Sequence, residues 1–103
     1  MSVAMDPRDV EGLTEIFRVL GDPTRVRILD ALASSELCVG ELARRVGISE
    51  SAVSHQLRLL RSARIVRPRR DGRLMYYALD DRHVLALFRQ GLKHVQEGGR
   101  DAR

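Results

Sequence analysis

Within residues 39–62 a helix stops and another starts three residues later, and no other feature of the chain restricts its fold as tightly. Leu42, Ala43 and Val46 fall on one side of a short helix over 39–46, and Gly47 follows as a residue suited to end it in a left-handed conformation. Ser49 then offers an N-cap, Glu50 suits the positive end of a helix dipole, and Ile48 and Val53 occupy the two positions of a hydrophobic staple. A second helix over 50–62 follows. Helix, glycine turn and helix together make the helix-turn-helix pattern.

The flanking segments extend this unit. Leu13, Ile16, Phe17 and Leu20 have the i, i+3, i+4, i+7 spacing of an amphipathic helix over 9–20, which Gly21 stops. Asp22-Pro23-Thr24 starts a helix over 23–33, with aspartate as cap and proline at the first position, and Val26, Ile28, Leu29 and Leu32 are expected inside. Residues 34–37 read as a loop. After Ile65 the period changes, and Asp71-Gly72 between runs 65–70 and 73–79 is a hairpin signal, with Pro68 confining its strand to an edge. Asp80 or Asp81 caps a last helix whose apolar side is Val84, Leu85, Phe88, Leu92 and Val95, and Gly98-Gly99 ends it.

The expected fold is therefore mainly α with a small β-hairpin, a winged helix-turn-helix in the order α-α-α-α-β-β-α. At 103 residues the chain is one domain or half of a dimer, with tails at 1–8 and 98–103 expected to be flexible. The apolar stripes of the first and last helices exceed what so small a core needs, which points to a homodimer. No apolar run approaches the roughly 18 residues of a membrane span. The start of the chain lacks a basic segment followed by an apolar run, so a cytoplasmic location is expected. A single cysteine, Cys38, excludes an intrachain disulfide.

Charge gives the first indication of a partner. The 18 basic and 14 acidic residues leave a formal charge of +4, and seven arginines lie between Arg58 and Arg73 against one acid, Asp71. Such a local field suits a polyanion, although a solvated charged face is the commoner reason for a charge cluster. Position favours the first reading. On the second helix of the pair Val53, Leu57 and Leu60 face the core, while Ser51, Ser54, His55 and Arg58 share another side with the donors that a major groove accepts. Ser49, Ser51, Ser54, His55, Gln56 and Arg58 here, with Arg70 and Arg73 on the wing, are the candidate residues for binding double-stranded operator DNA. Wing arginines are expected to add affinity and salt dependence, and the helix stripe specificity.

The last helix carries a second pattern, Asp81-x-His83, then ten residues, then His94-x-x-Glu97. Two imidazoles and two carboxylates suit a tetrahedral zinc ion. Eleven residues at about 100° each amount to three turns and roughly 20°, so the two histidines share a face but stand about 16 Å apart. One ion cannot reach both. Two copies of the helix packed antiparallel bring Asp81 and His83 of one chain to His94 and Glu97 of the other, giving two sites per dimer. Asp81 and His83 can share an ion only where Asp81 has left helical backbone angles.

With these residues in view, the chain resembles the ArsR/SmtB family of winged-helix metal-sensing repressors over residues 13–97. The resemblance rests on Leu20-Gly21-Asp22-Pro23-Thr24-Arg25 with Ile28-Leu29, on Glu36-Leu37-Cys38-Val39, on Ser51-Ala52-Val53-Ser54-His55-Gln56-Leu57, and on the four-residue metal pattern. It implies the zinc-responsive subgroup, with Asp81, His83, His94 and Glu97 as ligands and a repressor released from its palindromic operator by metal. It also implies control of metal efflux genes and a link from His94 to a carbonyl near Arg64. The sequence departs from the family's other pattern, Cys-x-Cys on the third helix, since Gly40 stands two residues after Cys38. Cys38 is therefore expected to be a buried packing residue, with redox sensing as the alternative. Cobalt shares the tetrahedral geometry of zinc, whereas nickel is disfavoured because residues 1–10 contain no histidine. A constitutive or redox-responsive regulator without an allosteric metal stands as the alternative function, and a metal buffer is a further rival. Four protein ligands and no nucleophile motif argue against a hydrolase and against an organic small-molecule substrate.

Overall fold

Asp6 opens the first helix of the computed structural model, which describes residues 4–99. Its side chain accepts a hydrogen bond from the Arg8 amide, and α1 runs Pro7–Leu20, so this helix begins inside the segment expected as a tail. Asp22 caps α2 (Pro23–Ser34) by accepting from the Arg25 amide at 3.0 Å, and Pro23 takes the first position. Next come β1 (Leu37–Cys38), α3 (Val39–Val46), α4 (Glu50–Ser62), β2 (Val66–Asp71), β3 (Leu74–Leu79) and α5 (Arg82–His94). A π-helical turn, Val95–Gly99, continues α5 through the two terminal glycines. Residues 100–103 of the expected tail lie outside the described residues.

The helix-turn-helix forms as its spacing requires. Gly47 takes φ of 81°, and the amides of Gly47 and Ile48 both return to the Ala43 carbonyl, closing α3 in a left-handed cap. Ser49 Oγ accepts from the Ala52 amide at 3.1 Å and starts α4. The far end of α4 repeats the closing motif with Arg64 at φ 60°, its successor's amide donating to the Leu60 carbonyl. A non-glycine residue in that region carries roughly 1–2 kcal/mol of strain.

Three segments differ from expectation. Leu37, expected at the end of a loop, and Cys38, between that loop and the expected helix, pair antiparallel with Tyr77 and Tyr76, so the hairpin becomes a three-stranded sheet in the order β1-β3-β2. Leu37 is buried there, while Cys38 is only half-buried. The hairpin closes with Asp71 opposite Leu74, which makes Gly72 and Arg73 the two loop residues; Gly72, at φ 63°, fills the first loop position that favours glycine. Pro68 lies on β2, an edge strand, as its missing N–H demands. Val26, expected inside, is 42% exposed, whereas Ala31 is buried, because α2 turns Ile28, Leu29, Ala31 and Leu32 to the centre.

That centre joins Ile28 and Leu29 of α2, Leu42 of α3, Val53, Leu57 and Leu60 of α4, and Ile65 and Val66 at the start of the wing. From α5, Val84 and Phe88 pack on it only partly. Phe17, at 58%, and Val95, at 62%, are the most exposed apolar side chains of the helices on this flank. Gly47→Ala forces a β-carbon into the left-handed cap and is expected to lower stability by about 1 kcal/mol. Urea denaturation reads this as a lower midpoint at unchanged slope.

Candidate nucleic-acid interface and metal centre

The rotation of α4 is set by Val53, Leu57 and Leu60, all at most 1% exposed, and this leaves Ser51, His55 and Arg58 in solvent with Ser54 half-buried beside them. Ser49 serves as the cap, and its Oγ also lies 3.2 Å from Ser51 Oγ. Gln56 is set apart from this stripe. Its side-chain oxygen accepts from Arg25 Nε at 2.9 Å, while Arg25 Nη1 donates to the Val19 carbonyl at 2.9 Å. Arg25 thereby joins α1, α2 and α4, a role that no local pattern in the sequence marks.

The arginines of the wing divide into two groups. Arg67 donates to the Asp80 carbonyl and Arg69 pairs with Glu36. Arg70 is exposed near the end of β2 and Arg73 is exposed in the loop. Hydrogen bonds from Arg69, and behind them its charge, hold the Glu36 carboxyl below the ordinary range. Glu36 was missed in the sequence, since the lone acid before β1 looks like a solvated charge.

At the start of α5 Asp81 is the N-cap, extended at φ −156° and ψ −177°, as the Asp81-x-His83 spacing requires of a shared ion. Its Oδ1 accepts from the Val84 amide at 3.1 Å, and its Oδ2 lies 3.4 Å from His83 Nδ1. Two donors of a tetrahedral zinc ion, bound at about 2.0 Å, stand about 3.3 Å apart, so this pair fits one ion. The Val84 hydrogen bond, then the His83 side chain, keeps the Asp81 carboxyl below its ordinary value. His94 ends α5 and Glu97 lies on the π-helical turn, where the winding departs from the α-helical angle that aligns positions three apart. Among the described residues, no three His, Cys, Asp or Glu side chains of one protomer gather to hold a metal. His83 and Arg64 line one small cavity of about 130 Å³ with Val84, Leu87 and Phe88.

A depressed carboxyl contributes stability above its unfolded value that disappears as the pH falls through the folded value. Asp81→Asn keeps the cap but removes this charge, so thermal melts of the variant are expected to lose less stability than wild type as the pH falls below about 4, the ordinary aspartate value.

Comparison with known proteins agrees with this architecture. The family described as "Bacterial regulatory protein, arsR family" matches residues 22–67. A transcriptional repressor SmtB homolog of Synechocystis sp. is 54% identical over 85 residues, covering 82% of this chain and 64% of the relative, slightly under two thirds of its length. The cadmium resistance transcriptional regulatory protein CadC homolog of Staphylococcus aureus is 40% identical over 93 residues, 89% of this chain and 74% of that protein. A homodimeric winged helix-turn-helix DNA-binding domain from Mycobacterium bovis, solved in solution, has a TM-score of 0.84 at 27% identity, covering 95% of this chain and 93% of that one. With a relative 40% identical over most of both lengths, and a sheet and helices in matching order, the chain belongs to the ArsR family of bacterial regulatory proteins and has its winged helix-turn-helix fold.

Proposed function

We propose that the protein is a cytoplasmic, metal-responsive transcriptional repressor that binds a palindromic operator as a homodimer and is released by zinc held between the two copies of α5, with cobalt as the second candidate metal. The observation that carries this reading is the division of the four candidate ligands between the two ends of one helix. Asp81 and His83 sit 3.4 Å apart at its start, and His94 and Glu97 lie about 16 Å farther along. An antiparallel second copy supplies the partner's His94 and the partner's Glu97. The flank that would receive it is an open apolar groove of about 460 Å³ lined by Phe17, Leu20, Val26, Leu87, Leu92 and Val95.

In a dimer, two α4 helices must match successive major grooves about 34 Å apart. Ser51, Ser54, His55 and Arg58 then read base edges, while Arg70 and Arg73 sit against phosphates. Bound zinc would supply a rigid tie between protomers. Asp81 and His83 lie directly after β3, so a tie there fixes the wing and α4 of one copy relative to the other. Where that arrangement fits the operator poorly, metal and DNA oppose each other through one reciprocal coupling energy. The names of the Synechocystis and Staphylococcus relatives support both the repressor role and a metal effector. Control of metal efflux or resistance genes follows from the same support.

Fluorescence anisotropy of a labelled duplex, selected by the wild-type protein from a randomised pool, tests the reading. Zinc is expected to weaken binding by roughly 5- to 150-fold. His83→Ala is expected to bind the duplex unchanged but to ignore zinc. A wild-type affinity indifferent to zinc and cobalt would instead mark a constitutive regulator. Titration is expected to give two zinc ions per dimer; one ion per dimer would sink the cross-chain arrangement. Ser54→Ala and His55→Ala should reduce discrimination between the selected duplex and random DNA more than Arg70→Ala does, since Arg70 mainly contributes affinity.

A further inference from the structure

Arg69 lies among the wing arginines, but one edge of its guanidinium, Nε and Nη2, is taken by a carboxylate. Its Nε donates to both carboxylate oxygens of Glu36, at 3.1 and 3.2 Å, and its Nη2 donates to Oε1 at 2.9 Å. Its guanidinium carbon lies 5.3 Å from the centroid of the Tyr76 ring. Tyr76 is directly opposite Arg69 in the β2–β3 ladder and opposite Cys38 in the β1–β3 ladder. Glu36 is the residue before β1. The carboxylate, the ring and the guanidinium thus form a bridge that passes from beside β1, over central β3, to edge strand β2.

Two physical features give this bridge a use. Alternation along β2 places Arg69 and Arg70 on opposite faces of the sheet, and Arg70 shares its face with Val66, which enters the core beside α4. Beyond Arg69 only the pairs Arg70–Met75 and Asp71–Leu74 remain before the loop. A two-stranded ribbon that projects from a sheet is free to twist and swing. A bidentate arginine–carboxylate pair lying over an aromatic ring restrains that motion two rungs before the loop.

We propose that Arg69 is a positioning residue of the wing: strapped to Glu36 across Tyr76, it aims Arg70 and Arg73 at the DNA backbone and makes no phosphate contact itself. This rests on the DNA-binding reading above. The pair is exposed, so its loss leaves the fold standing and changes the direction of the hairpin. The carboxyl of Glu36 is held down, and the guanidinium of Arg69 held up, by the same hydrogen bonds, so the pair stays charged throughout the neutral range.

The strap makes a prediction of opposite sign to simple electrostatics. Removing an acid next to a DNA-binding surface strengthens the positive field and tightens binding. Glu36→Gln is expected instead to weaken binding of the selected duplex about fivefold, a typical scale for the loss of one coupled contact. Arg69→Gln and Arg69→Lys are expected to weaken it equally, because lysine keeps the charge but lacks the fork and the planar stack. The double variant Glu36→Gln/Arg69→Gln should be no weaker than either single one. The slope of log affinity against log salt should stay at the wild-type value for Arg69→Gln and fall in magnitude by about 1.8 for Arg70→Gln, as two lost phosphate contacts per dimer, one from each copy, require.

Tighter binding by Glu36→Gln, full binding by Arg69→Lys, or a reduced salt slope for Arg69→Gln would each overturn the proposal and make Arg69 a phosphate ligand. The Arg69 Nε–H resonance in DNA-free protein provides a separate reading of the strap. It is expected to be protected from exchange in wild type and to lose protection in Glu36→Gln. If the wild-type protein selects no duplex from the pool, the DNA-binding reading fails and this role falls with it, whereas a protected resonance would still show that the strap itself exists. Unprotected signal in the wild type would overturn the strap directly.

Discussion

Everything α4 presents to the outside depends on the dry contact among Ile28, Leu42, Val53, Leu57 and Leu60. None of these side chains is more than 1% exposed. The contact allows one rotation of α4. A turn of one residue, about 100°, would draw polar groups from the Ser51, His55 and Arg58 side toward the core and push leucine into water, and both changes cost free energy. Arg25 adds a polar restraint to the apolar one by holding Gln56 of α4 and the Val19 carbonyl of α1 in the same grip. The α1 helix, which borders the apolar groove, is thereby tied to the helix that would enter DNA.

Clustered positive charge conceals a division of labour. Seven arginines between Arg58 and Arg73 suggest a continuous DNA-facing surface, yet Arg67 and Arg69 are engaged by Asp80 and Glu36. Arg64 has another task, since its left-handed backbone turns the chain from α4 into the wing. The charges that point outward from α4 and the hairpin tip include Arg58, Arg70 and Arg73. Counting arginines therefore overstates the number of side chains free to contact a polyanion.

What the sequence made legible was local. The closing of α3 at Gly47, the caps at Asp22, Ser49 and Asp81, and the placing of Pro68 on an edge strand all follow from chemistry within a few residues. The extended Asp81 backbone was also legible, because an aspartate that caps a helix takes such angles. Strand β1 was not, because two residues have no readable period and gain their conformation from β3, about forty positions away. Nor were the Arg25–Gln56 and Glu36–Arg69 contacts, which span 31 and 33 residues and are set by tertiary packing. Val26 misled for a related reason: its spacing marks an apolar side of α2, but that side borders the open groove.

The small sheet controls how copies of the chain can meet. One outer edge is β1, which is two residues long, and the other is β2, which carries Pro68 and four charged residues. Short edges, proline and charge are the means by which β-structure avoids adding strands from a neighbour. Strand-to-strand growth is thus blocked at both borders, and the broad apolar flank of α1 and α5 remains for self-association. Helices present side chains and not a row of open backbone groups, so their pairing depends on shape and closes after one partner when the two copies are related by a twofold axis. The two-residue strand and the proline therefore favour a discrete assembly over an open-ended one.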